Sequence, residues 1–144
     1  MQWNGSPQAG FSTGQPWLPV SEQAATINVE RESTDPASLL HLYRRLIRLR
    51  KATPALAHGS YLPLESNHPD CLVFVRKDDR LSVSGQDILV AVNFASRRTA
   101  CSVSGAAREG RLLLSTHEPI GDRRPWTPGR FDLEADEAVI VTLG

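Results

Sequence analysis

The chain has 144 residues, of which 40% are hydrophobic and 22% charged, and its 16 basic residues balance 16 acidic ones. This length and composition are typical of a globular domain of ordinary size. A chain without net charge has no electrostatic footprint for nucleic acid or for an anionic membrane. The sequence contains no run of about 18 apolar residues, so it predicts no transmembrane helix. We therefore expect neither a nucleic-acid partner nor a membrane partner.

Two cysteines, Cys71 and Cys101, lie in predicted strands. They could form a disulfide, but a lone pair of cysteines in a chain of this size is more often two buried thiols, which we expect here. The N-terminus shows no basic segment followed by an apolar core, so no signal peptide is predicted. We expect a cytoplasmic protein.

Residues 1–34 have no apolar period, and their prolines and glycines interrupt any regular element. The sequence predicts an irregular loop. The loop is too apolar for a solvated linker, because it carries Trp3, Phe11, Trp17, Leu18, Val20 and Ile27. It could pack on its own domain, but we favour packing on a barrel that lies outside this chain. In isolation such a loop would expose an apolar patch or swap onto a neighbouring molecule.

The pattern of residues 35–52 predicts a long helix. Asp35 suits the N-cap, Pro36 suits the first helical position, and Pro54 follows the end. Its apolar residues form a stripe too broad for one seam, so we expect cover on more than one side. They are Leu39, Leu40, Leu42, Tyr43, Leu46, Ile47 and Leu49.

From residue 57 onward the pattern changes to short strands separated by turn residues, which is typical of an antiparallel β-sandwich. The last strand is apolar on both faces and is therefore expected to be central. We expect the domain boundary near residues 53–59. The predicted strands are Gly59–Leu64, Cys71–Lys77, Ile88–Phe94, Thr99–Val103, Arg111–Ser115, Arg130–Leu133 and Glu137–Leu143.

A search for catalytic groups yields none that we would propose. Gly10–Gly14 matches the G-x-S-x-G pattern, but a nucleophile elbow needs a strand before Ser12 and a helix after it, and neither can form here. No histidine or cysteine has the short spacing of a metal site. Glycoside hydrolysis needs two carboxylates across the sugar, and no acidic pair fits. We expect no catalytic residue, no metal and no cofactor in this chain.

Several stretches carry a family resemblance. The opening residues MQW, the loop AGFSTGQPWLPV, and INVE at Ile27–Glu30 are followed by the helix and by Gly59-Ser60-Tyr61 and ILVAVNF at 88–94. Together they resemble bacterial α-glucosidases and oligo-1,6-glucosidases of glycoside hydrolase family 13, the α-amylase clan. The resemblance implies that residues 1–56 end a (β/α)8 barrel, with its last helix at 35–52. Residues 57–144 would then form the C-terminal antiparallel β-sandwich.

The resemblance also implies a function for the whole enzyme. It would be a retaining α-glucosidase that hydrolyses α-glucosidic bonds in oligosaccharides. Its catalytic acids precede MQW, so this chain would be inactive alone, and its β-domain would cap and stabilise the barrel. The loop residues beside the active-site mouth would be Gln2, Trp3, Phe11 and Trp17, and the barrel-facing helix residues would be Leu39, Leu42, Tyr43 and Leu46.

Two other functions stay open. A stand-alone carbohydrate-binding module could hold oligosaccharide through Trp3, Trp17 and Trp126. A non-catalytic subunit could resemble the glucosidase-like heavy chains of amino-acid transporters. The partner expected first is the N-terminal barrel of the parent enzyme, and the isolated chain is expected to form a homodimer or a domain swap.

Overall fold

The computed structural model describes residues 1–79, 86–104, 109–117, 125–126 and 129–144. The chain divides into two compact units, Met1–Arg48 and Leu49–Gly144. Helix α2, at Leu39–Ala52, begins in the first unit and ends in the second. The sequence predicts that the sandwich domain begins at residue 57, and this boundary stays a prediction.

The first unit contains more helix than its sequence predicts. Two 3₁₀ helices, Pro7–Gly10 and Glu22–Ala25, and the helix α1 at Val29–Thr34 interrupt the expected loop. Polar caps explain the second and third of these. Ser21 accepts a hydrogen bond from the backbone of Gln23, and Asn28 accepts one from the backbone of Arg31. Such short elements depend on caps and carry no hydrophobic period.

Helix α2 begins at Leu39, four residues after the predicted N-cap, and ends at Ala52 as predicted. The Asp35 carboxylate accepts a hydrogen bond from the Ala37 N–H, which closes a turn in place of a helix cap. Ser38 takes the capping role, because its Oγ accepts from the His41 N–H at 3.3 Å. Proline at position 36 therefore belongs to the preceding turn.

The second unit opens with helix α3 at Pro54–His58 and continues as strands. The strands are β1 Ser60–Leu64, β2 Cys71–Lys77, β3 Asp87–Asn93, β4 Thr99–Ser102, β5 Gly110–Ser115, β6 Pro125–Trp126, β7 Arg130–Leu133 and β8 Ala138–Leu143. All seven predicted strands are present to within about two residues at each end. The two-residue β6 was not predicted, because an element that short has no periodicity.

The strands form two antiparallel sheets, as the sequence predicts. The larger has the order β1-β2-β3-β8-β5-β6, and the smaller pairs β4 with β7. Strand β8 lies between β3 and β5, which confirms its predicted central position. Inward-facing residues of both sheets make one core, which makes the unit a β-sandwich. Its fully buried members include Val73, Leu89, Val141, Cys101 and Leu133.

The two cysteines are joined, and the expected pair of free thiols is wrong. Cys71 of β2 and Cys101 of β4 form a disulfide, with their Cα atoms 6.7 Å apart. The pairing depends on the larger sheet meeting the smaller one, which spacing along the sequence cannot reveal. The bond therefore links the two layers of the sandwich covalently.

In the part of the chain that the structure describes, no helix is long and apolar enough to cross a membrane.

Candidate functional site

The first three residues are held against the start of helix α1. The Gln2 carbonyl accepts from the Val29 N–H at 3.0 Å, and the Trp3 carbonyl accepts from the Glu30 N–H at 2.9 Å. The Gln2 side chain is also occupied, since its Nε2 donates to the Ile27 carbonyl at 2.6 Å. Gln2, predicted on sequence grounds to lie on the substrate side, has its amide nitrogen bound to the unit's own backbone.

A left-handed turn follows at Gln8–Gly10. Gln8, Ala9 and Gly10 have φ values of 56°, 53° and 69°, and the first two are not glycines, so their backbone is strained. Two contacts hold the turn in place. Ala9 is buried, and its carbonyl accepts from the Trp3 N–H at 2.8 Å. A Cβ on Gly10 would lie 2.5 Å from the Asn4 side chain.

The turn forms one side of a polar pocket of about 470 Å³, which is called the Trp17 pocket below. Residues 15–20 form the other side. Trp17 is 91% exposed, and Gln8 and Gln15 line the same pocket. Of the four loop residues predicted from the sequence, the structure brings only Trp17 to this pocket. The proximity of Gln8 was missed because it depends on the strained turn.

A second pocket, of about 360 Å³, is mainly apolar and is called the α2 groove below. It combines two predicted helix residues, Leu39 and Tyr43, with Gln2 of the predicted loop. Leu42 and Leu46 are half-buried elsewhere on α2. The groove is lined by Met1, Gln2, Ile27, Asn28, Val29, Glu32, Leu39, Leu40 and Tyr43.

The helix face beside the α2 groove is open. Leu39, Tyr43 and Ile47, at spacings of four residues, are 61%, 59% and 51% exposed. No residue of α2 is buried. Trp3 and Phe11 are also half-exposed, at 50% and 49%. The first unit therefore presents large apolar side chains that its own residues do not cover.

The hydroxyl of Ser12, in the G-x-S-x-G sequence, is bonded to the backbone of its own loop. Its Oγ donates to the Gly14 carbonyl at 3.0 Å and accepts from the Gly14 N–H at 3.1 Å. The hydroxyl closes a local turn, and no strand precedes Ser12 in the chain. Among the described residues, no three His, Cys, Asp or Glu side chains are grouped so that they could hold a metal ion.

Two acidic residues of the sandwich pair with the same arginine. Asp132 accepts a hydrogen bond of 2.8 Å from Arg98, and Glu134 lies 3.7 Å from the same guanidinium. The hydrogen bond to Asp132 and the charges of both carboxylates raise the pKa of Arg98 above its ordinary value. These exposed carboxylates balance a cation and do not face one another across a cleft.

A family model matches the N-terminal part of the chain. Residues 1–59 match the α-amylase catalytic domain. The match covers the first unit, the rest of α2 and helix α3.

Relatives with known names match most of the chain. The oligo-1,6-glucosidase of Halalkalibacterium halodurans is 36% identical over 120 residues, which is 82% of this chain and 20% of that protein. The trehalose-6-phosphate hydrolase of Escherichia coli is 35% identical over 139 residues, or 96% of this chain and 24% of that protein. The chain thus spans between a fifth and a quarter of the length of these relatives.

The fold also matches solved structures of similar enzymes. The trehalulose synthase MutB, crystallised as a mutant with Tris, superposes with a TM-score of 0.82 at 31% identity. The superposition covers 99% of this chain and 24% of MutB. Motifs, sandwich topology and relatives agree, and the chain belongs to the α-amylase family, glycoside hydrolase family 13.

Proposed function

We propose that the chain works as part of a retaining α-glucosidase that hydrolyses α-glucosidic bonds in oligosaccharides. In this proposal the chain supplies no catalytic acid. Its first unit completes the (β/α)8 barrel, and its sandwich caps and stabilises that barrel. The observation that carries the proposal is the uncovered apolar surface of the first unit.

The size of that surface favours a permanent partner. Burying a large apolar side chain stabilises a structure by about 1.5–3 kcal/mol, and Leu39, Tyr43 and Ile47 all remain more than half exposed. A helix of 14 residues gains most of its stability from packing one face against other elements. Cover for this face of α2 would therefore add several kcal/mol of stability.

The remainder of a barrel is the partner that fits best. The family model that matches residues 1–59 describes a catalytic domain, whereas the sandwich lies outside that match. The sandwich has a closed core of its own, built from both sheets. A unit that lacks cover followed by a unit that has its own core is the arrangement expected where a barrel ends and a capping domain begins.

We also propose that the enzyme works in the cytoplasm. Thiols in that compartment are kept reduced, so disulfides there are uncommon. Cys71 and Cys101 are only 7% and 0% exposed. Because reduction requires a thiolate to reach one of the sulfur atoms, burial on this scale would slow it.

The proposal is tested with a chimera. The segment of the Halalkalibacterium halodurans oligo-1,6-glucosidase that matches this chain is replaced by the 144 residues, and hydrolysis of p-nitrophenyl α-glucoside and isomaltose is measured. We expect the chimera to hydrolyse both substrates. The same enzyme truncated before the segment, and the chain alone, should release neither product.

Two results would contradict the proposal. Turnover by the purified chain would show that it carries its own catalytic groups. A chimera that folds, as shown by a cooperative thermal transition, and yet stays inactive would show that the chain does not complete an α-glucosidase. A chimera with Leu39→Glu and Tyr43→Glu serves as the matched variant, because both charges lie on the exposed face of α2 and should prevent folding of the barrel.

A further inference from the structure

We propose that the Trp17 pocket binds a glucosyl unit of the oligosaccharide substrate, away from the reacting bond. The identity of the sugar rests on the proposed function. The pocket itself rests on the arrangement of Trp17, Gln8 and Gln15.

The lining of the pocket selects an uncharged polar ligand. Two glutamine amides, each with donors and an acceptor, can hydrogen-bond to hydroxyl groups of either polarity. Among the residues that the structure describes, none that lines the pocket has a charged side chain; these are Gln8, Gln15, Pro16, Trp17, Leu18, Pro19 and Val20. An anion or a cation would find no counter-charge there, whereas a sugar needs none.

Trp17 supplies the apolar surface that a sugar ring requires. One face of a glucose ring presents C–H groups, which pack against the electron-rich face of an aromatic ring. The Trp17 side chain is 91% exposed, so its ring is available to such a ligand. Amides beside an open indole ring match the two kinds of surface on a pyranose.

The pocket is also held in shape before any ligand binds. Pro16 and Pro19 restrict the backbone on both sides of Trp17. Gln8 is held in the left-handed region by the burial of Ala9 and by the 2.8 Å hydrogen bond from Trp3 to Ala9. Strain of this kind is found where the surrounding structure fixes a functional residue. A preformed pocket reduces the entropy lost on binding.

The Trp17 pocket differs from the α2 groove in the way that separates a ligand site from a packing surface. The groove is lined mainly by aliphatic and aromatic side chains, and its polar side chains, Gln2, Asn28 and Glu32, hydrogen-bond to the unit's own backbone. The Trp17 pocket is lined by Gln8, Gln15 and Trp17, and its volume of about 470 Å³, like the 360 Å³ of the groove, lies within the range of about 300–1,000 Å³ of small-molecule sites. A barrel surface would fill the first, and a saccharide fits the second.

The inference is tested by saturation-transfer NMR with the 144-residue chain and isomaltotriose. We expect saturable transfer to ring protons of the sugar. Trp17→Ala should abolish it, and Gln8→Ala or Gln15→Ala should each weaken binding by about fivefold, the effect of losing one hydrogen bond. Gln23→Ala is the matched control, because Gln23 does not line the pocket, and it should leave binding unchanged.

The outcomes separate this inference from the proposed function. An active chimera together with no saturable transfer to the chain would overturn the sugar site and leave the function standing. Saturable binding that Gln23→Ala weakens as much as Gln15→Ala would also overturn it, because the contacts would then be unspecific. Binding that depends on Trp17, with a folded and inactive chimera, would keep the pocket and reject the α-glucosidase. Circular dichroism of each variant confirms that it is folded.

Discussion

Glu32 of α1 caps helix α2 through Leu40, whose N–H donates to Glu32 Oε2 at 3.0 Å. Ser38 reinforces the contact, because its Oγ donates to the Glu32 carbonyl at 2.7 Å. The first N–H groups of a helix have no partner within the helix. A residue seven positions before α2 therefore fixes where the helix starts and holds Leu39 at the edge of the α2 groove.

Glu32→Ala removes this cap. We expect the free energy of unfolding to fall by about 1 kcal/mol, the usual loss when a capping side chain is removed. Urea unfolding followed by circular dichroism measures the change. Glu30→Ala is the control, because Glu30 lies on the same helix and is exposed. Equal losses in the two variants would contradict the capping role.

Asn93 joins two loop segments at one end of the sandwich. Its Nδ2 donates to the carbonyls of Arg97 and Glu134 at 2.9 and 2.7 Å, and its Oδ1 accepts from the Ala95 N–H at 3.0 Å. The side chain is fully buried. Asn93→Ala leaves these groups without partners, and we expect a loss of about 2–4 kcal/mol of unfolding free energy.

The control for Asn93 is Asn67, whose Oδ1 accepts from the Ser102 N–H at 2.7 Å on the surface. Water can replace that contact, so Asn67→Ala should cost about 1 kcal/mol or less. Chemical unfolding of both variants measures the two losses of unfolding free energy. A smaller loss for Asn93→Ala than for Asn67→Ala would show that burial is not what makes the Asn93 contacts important.

Gly10 has a conformation that other residues resist. Its φ is 69°, and an added Cβ would lie 2.5 Å from the Asn4 side chain, which is itself held by two hydrogen bonds from Ser6. Gly10→Ala should lower stability by about 1–3 kcal/mol, because strain and overlap combine. It should also weaken binding at the Trp17 pocket by displacing Gln8.

Gly14→Ala is the matched change in the same loop, since a Cβ there meets nothing within 4 Å. We expect it to leave the melting temperature and sugar binding unchanged. If both alanine variants bind isomaltotriose like the unaltered chain, the turn at Gln8–Gly10 does not shape the pocket.

The Cys71–Cys101 disulfide closes a loop with a sequence separation of 30. A loop of this length corresponds to a stabilisation of about 3.5 kcal/mol in the chain-entropy model. We expect reduction, or the paired change Cys71→Ala and Cys101→Ala, to lower the free energy of unfolding by about 2–4 kcal/mol. Denaturation with and without reductant measures the loss.

The thiol count is read from the mass after alkylation under denaturing conditions. No added alkyl groups are expected without reductant, and two with it. Two alkyl groups without reductant would show that the sulfurs are not bonded.

Periodicity along the sequence predicted the elements that depend on local pattern. The alternation in Cys71–Lys77 and the apolar stripe of α2 require no knowledge of distant residues, and the structure confirms both. The start of α2 was misplaced, because a proline after aspartate fits a turn as well as a helix cap. Whether the helix starts at residue 35 or at residue 39 depends on Ser38 and Glu32, whose side chains accept hydrogen bonds from the first turn of α2.

The features that were missed depend on tertiary structure. The Cys71–Cys101 bond needs β2 and β4 to face each other from different sheets. The pocket needs Gln8 to be held in a left-handed turn, a conformation that is rare for glutamine and that no propensity would indicate. Trp17 was predicted to lie on the substrate side only because the family resemblance implies that its loop lies beside the active-site mouth.

The most direct test of the account is the mass of the polypeptide that contains these residues in the cells that make it. Immunoprecipitation with an antibody against the sandwich, followed by intact-mass measurement, gives this value. The account predicts a species several times heavier than 15.8 kDa, with α-glucosidase activity in the same fraction. A species of 15.8 kDa without such activity would contradict it.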